Sequence, residues 1–502
     1  MWFNCKKIIP NFSLAIAVVL GGGTTSLAYA SQCPKGDRCV VLKKGDPVMI
    51  APMISKTGQT GFPTGVGQAQ GLVVAHENRP EVLGHEVELV GNPSGQDDIS
   101  LENGIVLPNW DDGSSGTVAV TKANEILALD ADTHVNDNDI LAVIGLSNST
   151  ATQAVIPLFS AAQYLHLATA SLGTQLNNLG LDESYFARTS PTGALDAIAM
   201  ADHICGDPAC GDASNGIPCK VATIHDGNTA FSQTVAQAFA DRCVNQYGAL
   251  DTTDGAQGTA GVTGIKVITA NPAIGTDYSA ALTEMMQDAD GVPDFVYHIT
   301  NTVAAGNFVR QIRTVEPFLS TFSATRIGAA SNYLADALWQ AANGISPSGG
   351  VPLPMPLPLA EGFLVSAYDF DCADYPGNCN NGPLADFYAD YDDLFGTLLP
   401  NFPFTITNLT PSAADAYGIL LDAIEKVAIV INKNKMMIPR KALRDALLLE
   451  TDVQGLTGAL NCNNPSPGGQ GPNFAGDCNP DIQVMITEVQ CTSASSCQFV
   501  PQ

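Results

Sequence analysis

The sequence predicts an α/β protein whose parallel sheets are covered by helices on both faces. Three observations carry that expectation. Short apolar runs alternate with stretches of helical periodicity along most of the 502 residues, the mark of strand–helix–strand units. The length leaves room for two domains, and 45% hydrophobic content is ordinary for a globular chain. The clearest unit is 140–154, ILAVIGLSNSTATQA, where an apolar strand ends in Gly145 and a hydroxyl-rich turn leads into a helix from Thr150.

In chain order, a short strand is expected at 48–51, an amphipathic helix at 67–78, a strand at 85–90 and a helix at 117–129. Strands at 140–144 and 164–168 flank the helix that starts at Thr150. Helix 195–204, strand 220–225 and helix 232–247 follow, and the pattern recurs at 264–269, 278–288, 295–298 and 304–313. Helices are expected at 412–431 and 439–448, with a late strand at 482–489. Gly, Asp and Cys mark a loop at 206–218, Gly, Thr and Asp another at 249–264, and 463–477 is a Gly/Pro/Asn loop flanked by cysteines. The Pro-rich stretch 345–360, ISPSGGVPLPMPLPLA, is too apolar for a simple linker and is expected to lie across a surface.

A strand that empties into a Ser/Thr turn capping a helix can bind an anion through backbone N–H groups and the helix dipole. Ligands of parallel sheets sit at the carboxyl ends of strands, where Ser147–Thr152 would lie. The plainer reading is a helix N-cap alone.

Charge and cysteine content set the surroundings. With 22 Lys+Arg against 50 Asp+Glu the net charge is −28, which argues against nucleic acid or an anionic membrane as partner. Lys6 and Lys7, the apolar run 12–20 and Ala28-Tyr29-Ala30 have the form of a secretory signal peptide cleaved after Ala30. Gln32 spoils a lipoprotein site at Cys33, and no later run reaches the ~18 apolar residues of a membrane span. Of 13 cysteines, all but Cys5 lie beyond the signal, so disulfides are expected. Spacing suggests Cys33–Cys39, Cys372–Cys379, Cys462–Cys478 and Cys491–Cys497, with two more among Cys205, Cys210, Cys219 and Cys243 in open connectivity. A metal cluster is disfavoured, because no C-x-x-C occurs.

Several short motifs stand in a fixed order: Ile144-Gly145 with Ser149, Thr150 and Thr152; FART at 186–189; Ile224-His225-Asp226 followed by Phe231-Ser232; DFVY at 294–297 followed by RQIR at 310–313; EGFLV at 361–365; and ADAY at 414–417. In this order and spacing, from Pro47 to the C-terminus, the chain resembles the leucine/isoleucine/valine-binding family of type I periplasmic binding proteins, receptors of ABC transporters. The resemblance implies two α/β lobes, each a parallel sheet flanked by helices, joined by three hinge crossovers. It divides the chain into a signal peptide (1–30), a disulfide-containing extension (31–46), lobe I (47–190 and 368–450) and lobe II (191–367, with the return and tail 451–502).

The resemblance also implies a ligand set. The serine that holds the substrate carboxylate falls on Ser149, and a backbone contact falls on Ala170. Leu172 stands where the family has a hydroxyl, Phe231 and Asn301 where it has tyrosines, and Arg326 where it has the acid that pairs with the substrate ammonium. Thr150 and Ser171 complete the expected set. The carboxylate half is kept and the ammonium half is lost, which suggests an acid without an α-amino group, a dicarboxylate or an aromatic acid. The alternative is that Arg326 points to solvent. The family's first-lobe disulfide would fall on Ser114 and Asn148, so both its partners are missing.

No P-loop, H-E-x-x-H or G-x-S-x-G motif is present, so no enzyme, cofactor or metal is expected. His225-Asp226 lacks a nucleophile, and His298 reads as a core histidine. Asp369, Asp371 and Asp374 fail the EF-hand spacing and suit an Asx-rich turn, while Tyr388, Asp390, Tyr391, Asp392 and Asp393 suggest a solvated acidic helix face. The expected protein is a monomeric periplasmic receptor that passes a small-molecule solute to a permease, without membrane insertion. A ligand-sensing module of the same fold is the alternative.

Overall fold

The computed structural model describes residues 33–34, 37–58, 64–129, 139–177, 179, 181, 183–211, 219–226, 230–251, 267–268, 277–288, 291–299, 302–330, 359, 361–369, 383–395, 409–449, 453–463, 477–478, 483–493 and 496–502. Two sheets organise them.

The first sheet takes strands β1 (Val48–Met53), β2 (His85–Leu89), β3 (Ile140–Gly145), β4 (Leu165–Ala168) and β5 (Phe186–Arg188), in the spatial order β2-β1-β3-β4-β5 and all parallel. Glu81–Val82 adds an antiparallel edge beside β2. Every residue of β3 is buried, as a central parallel strand requires. Helices α1 (Val66–Asn78), α2 (Gly116–Leu129) and α3 (Ser149–Ala161) belong to this half of the molecule. Apolar side chains of α2 and α3 pack on one face with Met53, Ile140 and Val143, and those of α1 pack on the other with Ile50 and Ile144.

The second half is built alike. Helices α4 (Gly193–Cys205), α5 (Ala230–Asp241), α6 (Ser279–Met286) and α7 (Thr302–Thr314) alternate with β6 (Lys220–Asp226), β7 (Phe295–Ile299), β8 (Arg326–Ala329) and β9 (Leu364–Asp369). These four strands run parallel in that order, with Leu250–Asp251 and Val267–Ile268 paired to β6. Phe239 of α5 packs on Phe295 and Tyr297. Tyr278 and Phe308 pack on His298.

The chain crosses between the halves more than once. It leaves β5 for α4, and it returns to the first core as α8 (Pro383–Phe395), α9 (Thr410–Val427) and α10 (Arg440–Leu448). It then crosses back through Asp477–Cys478 to β10 (Gln483–Ser493) and β11 (Ser496–Pro501), antiparallel additions beside β9. From α10, Arg440 donates to the carbonyls of Ile140 (2.7 Å) and Leu141 (3.0 Å) and lies 4.0 Å from the Tyr164 ring centroid, satisfying a buried guanidinium with carbonyls and a π-face.

Three expectations need correction. Helix 412–431 stops at Val427, because the β-branched run Ile429-Val430-Ile431 turns into a strand, Ile429–Asn432, paired with Lys435–Pro439. Cys39–Lys43, from the N-terminal extension, completes that small sheet. Helix α1 is not amphipathic: Gly67 to Val74 are all buried, since α9 covers the side away from the sheet. Tyr391 leaves the expected solvated face and joins the first core.

The described disulfides are Cys33–Cys39, Cys462–Cys478, Cys205–Cys243 and Cys210–Cys219, which decides the open pair. Cys491 and Cys497 are opposed in the backbone register; Cys372 and Cys379, Asp371 and Asp374, and nearly all of 345–360 lie outside the described residues. No helix among the described residues is long and apolar enough to cross a membrane.

The turn after β3 depends on Gly145. Its φ is +128°, and a Cβ there would lie 2.5 Å from the Met53 carbonyl oxygen. Gly145→Ala should therefore lower stability by about 2–3 kcal/mol, read as a fall in the urea midpoint at unchanged slope.

Candidate functional site

At the carboxyl ends of β3 and β4 two loops meet. The chain leaves β3 through Leu146, Ser147 and Asn148 into α3, and leaves β4 through Thr169 to Gly173. Asn148 caps α3: its Oδ1 accepts from the N–H of Thr150 (2.9 Å) and of Ala151 (3.2 Å). Two of the N–H groups expected to face an anion are thus satisfied internally, which corrects the simplest form of that expectation. Ser149 is buried, and its Oγ accepts from Gly173 N–H at 3.0 Å. Ser149 and the second loop are held together by that bond.

The other expected residues divide. Ala170, Ser171 and Leu172 are all buried in the second loop. Ser171 is committed to structure, donating to the Leu146 carbonyl (2.8 Å) and lying 2.5 Å from Thr152 Oγ1. The Leu172 carbonyl accepts from Gly193 N–H (2.9 Å) at the start of α4, so the loop touches the second half of the molecule. Phe231, in the first turn of α5, packs against both major cores, and its ring lies 2.7 Å from where a Gly193 Cβ would stand. Ser149, Ala170–Leu172 and Phe231 therefore gather where the halves meet, while Thr150 Cγ2 turns towards Gly116 of α2. Asn301 lies outside the described residues.

Arg326 does not join them. It is the first residue of β8, in register with Phe295, and its N–H donates to the Asp294 carbonyl. Its guanidinium is 3.5 Å from Asp207, with the side chain 41% exposed. In a parallel sheet that is the amino edge, away from the carboxyl ends that line a crevice. The inference of a second carboxylate drawn from Arg326 falls with its placement.

Arg188 and Asp477 are the strongest feature the sequence reading missed. Both are buried, Arg188 Nη2 donates to Asp477 Oδ2 (3.0 Å), and Arg188 Nε donates to Oδ1. Arg188 Nη1 donates to the carbonyls of Gly173 (2.6 Å) and Ser171 (3.1 Å). One guanidinium thus pins the second loop to the returning crossover. FART supplied the signal for Arg188; nothing local marks Asp477 as its partner.

No family model and no curated protein matches the chain by sequence. Solved structures do match. A type 1 periplasmic binding protein from Bordetella pertussis aligns with a TM-score of 0.61 and 16% identity, over 91% of this chain and 100% of that one. The fold is that of the type I periplasmic binding proteins. A leucine binding protein from Thermotoga maritima gives 0.60 at 20% identity, covering 90% and 97%. A solute binding protein of an ABC transporter from Rhodopseudomonas palustris, in complex with 3,4-dihydroxybenzoic acid, gives 0.58 at 16%, covering 91% and 96%.

Within this type I fold, hydrogen bonds stand where the resemblance places a disulfide. Ser114 Oγ donates to the Thr57 carbonyl (3.0 Å), and Asn148 is the α3 cap. Next to Ser114, Asp112 is fully buried; its Oδ1 accepts from Ser55 Oγ (2.5 Å) and Ser114 N–H (2.7 Å). Burial pushes this carboxyl up to about 7. Ser55 N–H in turn donates to Ser147 Oγ (3.4 Å), so the acid ties the turn after β1 to the turn before α3. His225 is buried in β6 with its charged form disfavoured, and Cys210 and Cys219, near Asp294, are bonded to each other.

Proposed function

We propose that this chain is an extracytoplasmic solute receptor that clamps a small carboxylate-bearing guest between two lobes and passes it to an ABC permease. The lobes are 47–190 with 368–450, and 191–367 with 451–502. The observation that carries the reading is the meeting of Ser149 and the Ala170–Gly173 loop with Phe231 across the junction of the halves. A guest held by a hydroxyl and backbone amides on one side and an aromatic ring on the other stabilises the closed form, because the open form lacks one set of contacts. The named ligands of the structural neighbours, leucine and 3,4-dihydroxybenzoic acid, both bear a carboxylate. The disulfides fit an oxidising compartment. The protein is read as monomeric and without catalysis.

The test is calorimetric titration with leucine, 3,4-dihydroxybenzoate, succinate and leucinamide. One of the carboxylates should bind and leucinamide should not. Ser149→Ala should weaken that carboxylate by about ten- to a hundredfold, the worth of a hydrogen bond to a charged group. Silence from all three carboxylates, or an indifferent Ser149→Ala, refutes the proposal.

A further inference from the structure

We infer that the Cys462–Cys478 disulfide positions the carboxylate site, so that guest affinity depends on this crosslink. The inference rests on the proposed carboxylate-binding site and adds how its second loop is held. Ser149 Oγ accepts from Gly173 N–H. The carbonyls of Gly173 (2.6 Å) and Ser171 (3.1 Å) accept from Arg188 Nη1. Arg188 is paired with Asp477, and Cys478 is the next residue along the chain. Cys478 N–H donates to the Arg188 carbonyl (2.9 Å), and the Cys478 carbonyl accepts from Asn461 N–H (2.7 Å). Every step from the Cys478 sulfur to Ser149 is thus a covalent bond, a hydrogen bond or the ion pair.

The other side of the crosslink is anchored to α9. Cys462 follows a hairpin formed by Val453–Gly455 and Gly458–Leu460. The buried carboxylate of Asp415, on α9, clamps the turn of that hairpin. It accepts from the N–H groups of Leu456 (2.6 Å) and Thr457 (2.9 Å) and from Thr457 Oγ1 (2.5 Å). Cys462 and Cys478 themselves are fully buried in the first core. The ion pair is a poor tether on its own, because the hydration that Arg188 and Asp477 give up offsets much of their attraction. A covalent link to a fixed hairpin holds the Asp477 backbone in place whether or not the pair is made. It thereby lowers the entropy cost of bringing carboxylate to guanidinium. Without the link, the Ser171 and Gly173 carbonyls lose a fixed donor, and the loop loses its shape beside Ser149. The Cys205–Cys243 disulfide joins the end of α4 to the turn after α5 and is no part of this path.

The experiment compares wild type with Cys462→Ala/Cys478→Ala and, as a control, Cys205→Ala/Cys243→Ala. Leucine, 3,4-dihydroxybenzoate and succinate are titrated by calorimetry into each full mature protein, under conditions where urea melts show it folded. Loss of Cys462–Cys478 should weaken the acid that binds wild type by about three- to thirtyfold, the range for residues that act on a site through their neighbours. Hydrogen exchange over 170–173 without ligand should quicken with it. The control should lower the urea midpoint and leave affinity and exchange as in wild type. Dithiothreitol on native wild type is a second route that needs no variant to fold. It opens the cystine by exchange, its own thiols closing to a cyclic disulfide as two electrons and two protons pass to the Cys462 and Cys478 sulfurs. Affinity should fall as those two thiols appear by mass spectrometry, and not as the thiols of Cys205 and Cys243 appear. An unchanged affinity, a loss with 170–173 still protected, or the same loss in the control each overturns this inference while the carboxylate reading stands. If none of the three acids binds wild type, the carboxylate reading itself is refuted.

Discussion

Asp477→Ala should destabilise the protein by about 3–5 kcal/mol and weaken guest binding as well, one of the largest single-residue effects expected here. Arg188 is 0% exposed and Asp477 3%, so removing the carboxylate strands a guanidinium in the interior. The cost comes from that uncompensated charge more than from a favourable ion pair, because burying two charges consumes most of what their attraction returns. A double variant separates the two. Arg188→Met with Asp477→Leu removes both charges and should recover most of the stability in urea melts. It should not recover binding. Arg188 also holds the Ser171 and Gly173 carbonyls, and methionine cannot. Recovered binding in the double variant would show that the loop keeps its shape unaided. An Asp477→Ala variant as stable as wild type would show that solvent reaches the Arg188 guanidinium.

The contrast between Arg188 and Arg326 shows where sequence reading stops. Both sit in short strands of parallel sheets and both were within reach of motif analysis. The β3–α3 turn was legible because an apolar run, a glycine with positive φ and a hydroxyl-rich helix start are all local. Ser149, Ala170 and Phe231 then followed from the resemblance and do gather. Arg326 failed because β8 is four residues long, and a slip of that length moves a side chain from the crevice edge to the opposite edge. Asp477 was invisible for another reason: its partner is 289 residues away, and only the crossover brings them together. The Ile429–Asn432 strand was misread because an apolar β-branched run after a helix continues the helical pattern until the turn ends it.

Acid should unfold this protein well before its carboxylates are exhausted. His166, His225 and His298 are buried, and burial pushes their pKa values down to about 3, 4 and 3. Unfolding returns each to the ordinary value near 6.5, so from there down toward pH 4 the unfolded chain binds more protons. Stability therefore falls as pH falls through that window. Asp112 opposes this: its carboxyl, raised to about 7, is protonated in the folded state and releases a proton on unfolding between pH 4 and 7. Three protons taken up and one released leave about two, so stability should drop by about 2–3 kcal/mol per pH unit near pH 5.5. His166 isolates one of them. Neither of its ring nitrogens has a hydrogen-bond partner, and it sits between Phe159 and Phe186 at 5.5 and 5.4 Å. His166→Phe should reduce the slope by about 1.4 kcal/mol per pH unit, with stability at pH 8 equal to or above wild type. Asp112→Asn should steepen the slope instead. Urea melts at pH 5, 6, 7 and 8 give the slopes; an unchanged slope in His166→Phe would mean that this imidazole is already protonated, or already solvated, in the folded protein.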